Sequence, residues 1–152
     1  MAGRRHQARE VVIQMLYQLD LNPDATLGSI REQIQAALPD ETLYRFAWDL
    51  FAGVTENRVA LDQRITVVAA NWAVSRMPAT DRNAIRLGAY ELIHTDTPAG
   101  IVIDEALELA KSFGGANSVG FVNGILDRLI PEAKRIRKAV VPSEPQPASS
   151  GE

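Results

Sequence analysis

Apolar residues recur at intervals of three and four along almost the whole chain, and the alternating patterns typical of strands are short. This spacing gives each segment one apolar face in an α-helix, so the sequence predicts an all-α fold. We expect about seven helices in two packed bundles of three to four helices each. The predicted segments are Arg4 to Leu21, Leu27 to Leu38, Asp40 past Gly53 toward Ala70 with a bend, Asp81 to His94, Ile101 to Phe113, Ser118 to Ile130 and Glu132 to Lys138.

Residues that cap helices, and residues that break them, set the predicted boundaries. Asp40, Thr80 and Ser118 are residue types that accept hydrogen bonds from the first N–H groups of a helix, and each stands where a predicted helix begins. We expect an N-terminal bundle over residues 1–72, which contains the basic first helix, and a C-terminal bundle over 73–139. Three prolines and a Ser-Ser-Gly ending predict a disordered tail over 140–152.

Composition excludes several classes of protein. The 152 residues carry a formal net charge of -3, so any binding of nucleic acid must use a local basic patch. The absence of cysteine excludes disulfides, thiolate metal sites and a cysteine nucleophile. The longest uncharged stretch, Ile65 to Ser75, is too short to span a bilayer. The start of the chain lacks the apolar core of a signal peptide, and we therefore expect a cytoplasmic protein.

Three arginines in the first turns of the first helix oppose the helix dipole. Cations at Arg4, Arg5 and Arg9 each cost about 0.3–1 kcal/mol where they are exposed. A phosphate-bearing ligand would turn this cost into an attraction. A solvated helix end, or partial cancellation by Glu10, explains the pattern equally well from the residues alone.

Two further positions suggest contact with an unpaired nucleotide. Arg82, Arg86 and Tyr90 follow one another at helical spacing outside most of the apolar arc of their helix, where a basic and aromatic line can bind phosphate and a base. Phe121 lies off the apolar stripe near the start of its helix, beside free backbone N–H groups. The alternatives are an ordinary amphipathic exterior for the first group and packing against the other bundle for Phe121.

Ile13 and Tyr17 form an off-stripe apolar strip on the first helix, a contact for a partner or a second copy unless another helix of the chain covers it.

The sequence offers no catalytic constellation. Glu91 and His94 have the E-x-x-H spacing of di-iron bundles, but His6 is the only other histidine and lacks a matching glutamate. Glu91 falls in an apolar arc, so we expect a buried carboxylate paired with an arginine. We expect neither an enzyme nor a metal or other cofactor.

Several strings in register carry a resemblance to a known family. They are RRHQARE and QMLY (residues 4–10 and 14–17), DRNAIRLGAYEL (81–92), IDEALELAKSFG (103–114) and FVNGILD (121–127). In this order and at these spacings, the chain resembles the NusB transcription antitermination family from roughly Arg4 to Ile130. The resemblance implies a factor that binds boxA-type single-stranded leader RNA of ribosomal RNA operons. It also implies a partner, the small-subunit ribosomal protein NusE, with which such factors help load an antitermination complex on RNA polymerase.

The resemblance also implies site residues. The family's N-terminal arginine cluster falls on Arg4, Arg5 and Arg9, the arginine of its RLGAYEL-like string on Arg86, and its base-stacking aromatic on Phe121. Three positions depart from the pattern: His6 replaces a cation, Asn117 an acid, and Gly120 a residue that can be basic. The expected RNA-binding residues are Arg4, Arg5, His6, Arg9, Arg86, Asn117, Ser118 and Phe121. The expected partner-binding residues are Ile13, Tyr17, Asp81 and Arg82.

The sequence is also compatible with two other interpretations. A module that binds only protein, or a homodimer formed through Ile13 and Tyr17, would show no specific RNA binding. Some ribosomal RNA methyltransferases carry a NusB-like N-terminal domain, but the chain ends soon after Lys138 without room for a methyl-donor domain. We therefore expect a stand-alone factor.

Overall fold

The computed structural model describes residues 2–70 and 72–135 of the chain. Within these residues the regular structure is entirely helical, which confirms the predicted all-α class. The described ranges contain seven α-helices of ten residues or more: α1 (Ala2–Leu21), α2 (Leu27–Ala37), α3 (Glu41–Glu56), α4 (Arg58–Val68), α5 (Ala79–His94), α6 (Ala99–Phe113) and α7 (Ser118–Asp127). A short 3₁₀ turn at Val74–Arg76 connects α4 to α5. A single helical turn at 132–135 is the described part of the predicted basic segment.

One of the three predicted N-caps is confirmed. The Asp40 carboxylate accepts a hydrogen bond from the Leu43 N–H at 3.1 Å and begins α3. The other two predictions are wrong. Helix α5 begins at Ala79 after Pro78, so Thr80 already lies in the first turn, and Ser118 is the first residue of α7 rather than its cap.

The predicted long helix from Asp40 toward Ala70 is two helices. Asn57 separates α3 from α4, and its side-chain amide donates to the Gly53 carbonyl at 2.8 Å. An asparagine that hydrogen-bonds the preceding turn competes with the continuing helix, so the expected bend becomes a break.

Gly53 in α3 is required by packing. A Cβ at this position would clash with the Tyr90 ring, so only glycine allows that ring to pack against α3.

Helix α5 is the centre of the molecule, since it packs against α1, α3, α4, α6 and α7. The buried apolar side chains of both halves of the chain form one core. The two halves therefore share one core, and the division of the chain into bundles at 1–72 and 73–139 stays a prediction. The predicted tail over 140–152 lies outside the described residues, and so does the stretch 136–139 before it. None of the helices in the described ranges is long and apolar enough to span a bilayer.

Candidate nucleic-acid interface

Arg9 lies inside the protein. Its guanidinium donates from Nε and Nη2 to the two carboxylate oxygens of Glu91, at 2.8 and 2.7 Å, and the two side chains are only 4% and 2% exposed. This confirms the predicted pairing of Glu91 with an arginine. Burial opposes the charge of Arg9, but its hydrogen bonds to the Glu91 carboxylate prevail and hold the pKa of Arg9 above its ordinary value. Arg9 is therefore not the exposed cation that the helix-dipole pattern predicts.

Arg86 is also internal, 4% exposed, so the prediction that it lies on an exposed line with Arg82 and Tyr90 is wrong. It donates to both carboxylate oxygens of Asp62 at 2.8 and 3.0 Å and lies 3.4 Å from Asp20. The reason is the position of α5 among five helices, which buries most of its circumference. Arg86 thus joins α5 to the end of α1 and to the middle of α4, and its position does not support the expected contact with RNA.

Arg82 and Asp20 belong to the same network. Arg82 donates to Asp20 at 2.6 Å and to the carbonyls of Ser75 and Met77 at 3.2 and 3.3 Å. Burial favours the neutral form of Asp20, but hydrogen bonds from Arg82 and Asn83 outweigh it and lower the pKa of Asp20. Arg82 is only half-buried and keeps part of its side chain at the surface.

Arg4 and Arg5 are the exposed cations at the start of α1. Arg4 forms an exposed ion pair with the cap residue Asp40. The guanidinium of Arg5 lies 4.7 Å from the centre of the Phe46 ring, and no carboxylate of the described residues pairs with it. A cation held over an aromatic face is oriented without being neutralised. Arg5 is therefore well placed to meet a phosphate.

His6 is placed between carboxylates. Nδ1 lies 2.7 Å from Glu105 of α6 and Nε2 lies 3.4 Å from Glu10. The hydrogen bond with Glu105 raises the pKa of His6 above its usual 6.5, although partial burial opposes this. The raised pKa favours the charged form of His6, at a position where the resemblance places a cation. His6 mainly offsets acidic neighbours in this arrangement.

A cleft of about 540 Å³ opens beside Arg5, between the start of α1 and the start of α6; we call it the α1–α6 cleft. Its walls are Arg5, Arg9, Asp96, Thr97, Pro98, Ile101 and Glu105. Helix α6 begins here without a side-chain cap. Free N–H groups at a helix start favour an anion, whereas Asp96 and Glu105 disfavour one. The wall formed by Arg5 and the start of α6 therefore favours an anion more than the wall that contains Asp96 and Glu105 does.

A second cleft, of about 420 Å³, lies at the start of α7; we call it the α5–α7 cleft. Its walls are Trp72, Pro78, Asp81, Gly115, Ala116, Asn117, Ser118 and Phe121. Phe121 is half-buried and packs edge-to-face on Trp72, with ring centres 5.6 Å apart. Phe121 is neither sealed in the core nor fully free, so one part of its ring remains at a surface.

Ser118 and Asp81 shape this cleft from inside. Ser118 is buried, and its hydroxyl accepts from the Gly115 N–H at 2.8 Å and donates to Asp81 at 2.6 Å. This chain of hydrogen bonds fixes the loop that leads into α7. Ser118 and Asp81 therefore serve as positioning residues, and their hydrogen bonds do not support direct contact by the Ser118 hydroxyl. Asn117 is exposed, and its side chain makes no capping hydrogen bond to α7.

Of the predicted partner strip on α1, only Tyr17 is at the surface. Ile13 is 1% exposed and belongs to the core, so the prediction of an exposed Ile13 is wrong, because other helices of the chain cover it. Tyr17 is 38% exposed, and Leu21, one helical turn further on, is also exposed. Of the two residues inferred to form a homodimer surface, only Tyr17 is accessible to a second copy.

The two clefts lie toward opposite ends of α5. Arg9, in the first, pairs with Glu91 near the end of α5, whereas Asp81, in the second, lies near its start. Ten residues of α-helix separate the two by roughly 15 Å along the axis. The structure places the predicted RNA-binding residues in two patches rather than in one continuous strip, and Arg86 lies in neither patch.

Two aromatic residues in these patches were missed as functional candidates. Phe46 fell in the apolar stripe of α3, yet it supports Arg5. Trp72 stands in a connection without periodicity, yet it forms a wall of the α5–α7 cleft. A tryptophan outside any apolar stripe, in a connecting segment, is the sequence signal that could have identified the second of them.

These features define a small all-helical protein with open surface clefts, in which residues 2–70 and 72–135 bring no cluster of metal-ligating side chains together. The NusB family model matches residues 6–131. The chain belongs to the NusB family.

Relatives of known sequence and structure agree with this. A transcription antitermination protein NusB of Anaeromyxobacter dehalogenans is 39% identical over 139 residues, which cover 89% of this chain and 98% of that protein. The NusB structure of T. maritima is similar with a TM-score of 0.75 and 34% identity, covering 87% and 96% of the two chains. A crystal structure of the antitermination factors NusB and NusE in complex with dsRNA is similar with a TM-score of 0.76 and 25% identity, covering 86% and 98%.

Proposed function

We propose that this chain is a transcription antitermination factor that binds boxA-type single-stranded leader RNA of ribosomal RNA operons together with NusE. Family membership and the structural likeness to NusB in complex with NusE and RNA support this proposal. The protein would act in the cytoplasm, as part of an antitermination complex on RNA polymerase. It would act by binding and not by catalysis, as the name of its relatives, transcription antitermination protein, suggests.

The assignment of RNA binding depends mainly on the exposure and the position of the Arg5 guanidinium. It is exposed, it has no carboxylate partner among the described residues, and Phe46 holds it beside the uncapped start of α6. Phosphate groups bind where a cation and free helix N–H groups converge. Arg4 can add a second contact if it releases Asp40, an exposed pair that contributes little to stability.

The strand would run from the α1–α6 cleft to the α5–α7 cleft. Cations at the first cleft fix the backbone, and Phe121 with Asn117 touches bases at the second. The Val119 and Gly120 N–H groups at the start of α7 have no backbone acceptor among the described residues, so they can bind an adjacent phosphate. Arg9 and Arg86 would not contact the RNA, and their buried ion pairs would stabilise the helices that carry this surface.

NusE would contact the exposed end of α1. Tyr17 and Leu21 supply apolar area there, and the half-buried Arg82, tied to Asp20, lies at the neighbouring start of α5. Aromatic and arginine side chains are the groups most often responsible for affinity at protein interfaces.

The proposal is tested by fluorescence-anisotropy titration of labelled boxA-like and scrambled single-stranded RNA, each with and without NusE. We expect the boxA-like RNA to bind more tightly, with the difference enlarged by NusE. Equal affinity for both RNAs in every condition would remove the specific function.

Arg5→Ala should weaken RNA binding for all sequences alike, because a phosphate contact carries no base information. Loss of one phosphate contact on a single strand reduces the slope of log K against log salt concentration by about 0.7. Titrations at several salt concentrations measure this slope. Arg64→Ala on α4 is the matched control, since Arg64 is also exposed and without an ion pair in the described part of the chain. The same slope for both variants would contradict the assignment of Arg5.

A further inference from the structure

Trp72 is conspicuously exposed for its type. It stands in the connection between α4 and α5, and 52% of its surface is accessible. A large apolar ring at the surface commonly marks a binding site, since its exposure to water is unfavourable. Its described ring contact is the edge-to-face packing on Phe121, with an angle of 70° between the rings.

The two rings form adjoining walls of the α5–α7 cleft. A flat group that stacks on one ring therefore meets the other ring at its edge, and both arrangements are favourable for π systems. The cleft volume of about 420 Å³ accommodates a nucleobase with room for its sugar. Pro78 and the 115–118 loop complete the enclosure.

A buried acceptor also lines this cleft. Asp81 is only 5% exposed, and its Oδ1 accepts from Ser118. Its other carboxylate oxygen accepts no hydrogen bond from the described residues. A buried carboxylate oxygen without a donor is unfavourable, and an N–H group on the edge of a base would satisfy it.

We propose that the α5–α7 cleft binds one unpaired base of the RNA, and that Trp72 is a base-stacking residue in addition to Phe121. This inference rests on the proposed function, because it assigns Trp72 a role within the same RNA-binding surface. The uncapped N–H groups of Val119 and Gly120 lie beside the cleft and suit the phosphate of the same nucleotide. The protein thus contacts base and backbone of one nucleotide together.

Trp72 can report on its own environment once Trp48, the other tryptophan of the chain, is replaced. In Trp48→Phe protein, we expect single-stranded boxA-like RNA to quench the emission of Trp72 at the same concentrations that raise the anisotropy of the labelled RNA. Trp72→Ala should weaken RNA binding roughly 5- to 150-fold, the range for loss of one stacking aromatic. Trp72→Tyr should retain most of the affinity, because it keeps a stacking face.

The outcomes separate this inference from the proposed function. Absence of RNA binding by the unmodified protein, with NusE present, would overturn both. Normal RNA binding with unchanged Trp72 emission, and with unchanged affinity in Trp72→Ala, would overturn only the role of Trp72. Quenching by NusE alone and none by RNA would also overturn it, because the cleft would then receive a protein side chain. Circular dichroism of each variant confirms that the helices are intact.

Discussion

Glu91→Ala is expected to lower the free energy of unfolding by about 3–5 kcal/mol, the range for removal of one partner of a buried ion pair. Arg9 would remain inside the protein, 3% exposed, without the carboxylate that accepts two of its hydrogen bonds. Glu105, 3.6 Å from Arg9, would compensate only in part. Because a domain of this size is stable by about 5–15 kcal/mol, the loss is a large fraction of the total. Urea unfolding followed by circular dichroism measures it.

Two variants make this prediction specific. Glu32→Ala removes an exposed glutamate from α2 and should change stability by less than about 0.5 kcal/mol. The double variant Arg9→Leu with Glu91→Leu removes both charges and should be more stable than Glu91→Ala, since no unpaired charge stays buried. If Glu91→Ala unfolds at the same urea concentration as Glu32→Ala, the pair contributes little and the core tolerates a lone arginine.

The sequence predicted Glu91 and Arg9 unequally well for a physical reason. Glu91 falls within an apolar arc, and a carboxylate in that position must be paired, so helical periodicity alone was sufficient. Its partner is 82 positions away on α1, and no local pattern reports a contact at that separation. The helix-dipole pattern predicted an exposed cation at Arg9, whereas the distant Glu91 holds Arg9 inside the protein.

Ile13 and Arg86 show a second limit of periodicity. A helical wheel identifies one buried face, whereas α5 is surrounded by five helices and α1 by several, so residues outside the main stripe are buried as well. Phe121 was located correctly as an off-stripe aromatic, but its neighbour Trp72 lies in a connection where no periodicity applies. The helices were predictable from local patterns, while the composition of the clefts depends on how the helices pack.

Arg86→Met should destabilise the protein by about 3 kcal/mol, the lower end of the range for breaking a buried ion pair. The lower end applies because Asp62 is 27% exposed and can regain water, and because Asp20 keeps its hydrogen bonds from Arg82 and Asn83. Methionine fills much of the volume of the arginine stem, so the loss reports on charge more than on a cavity. Thermal and urea unfolding measure the effect.

The same variant decides whether Arg86 is a structural residue or a contact for RNA. If Arg86 only joins α1, α4 and α5, the folded fraction of Arg86→Met protein should bind boxA-like RNA with affinity within about twofold of the original, well under the tenfold that 1.4 kcal/mol represents. Arg64→Met, an exposed change on α4, should alter neither stability nor binding. If Arg86→Met protein keeps its full stability but loses tenfold in RNA affinity, Arg86 is a contact for RNA and not a structural residue. Because the guanidinium is 4% exposed and bound to two carboxylates, that result would require the network to open and release Arg86 when RNA binds.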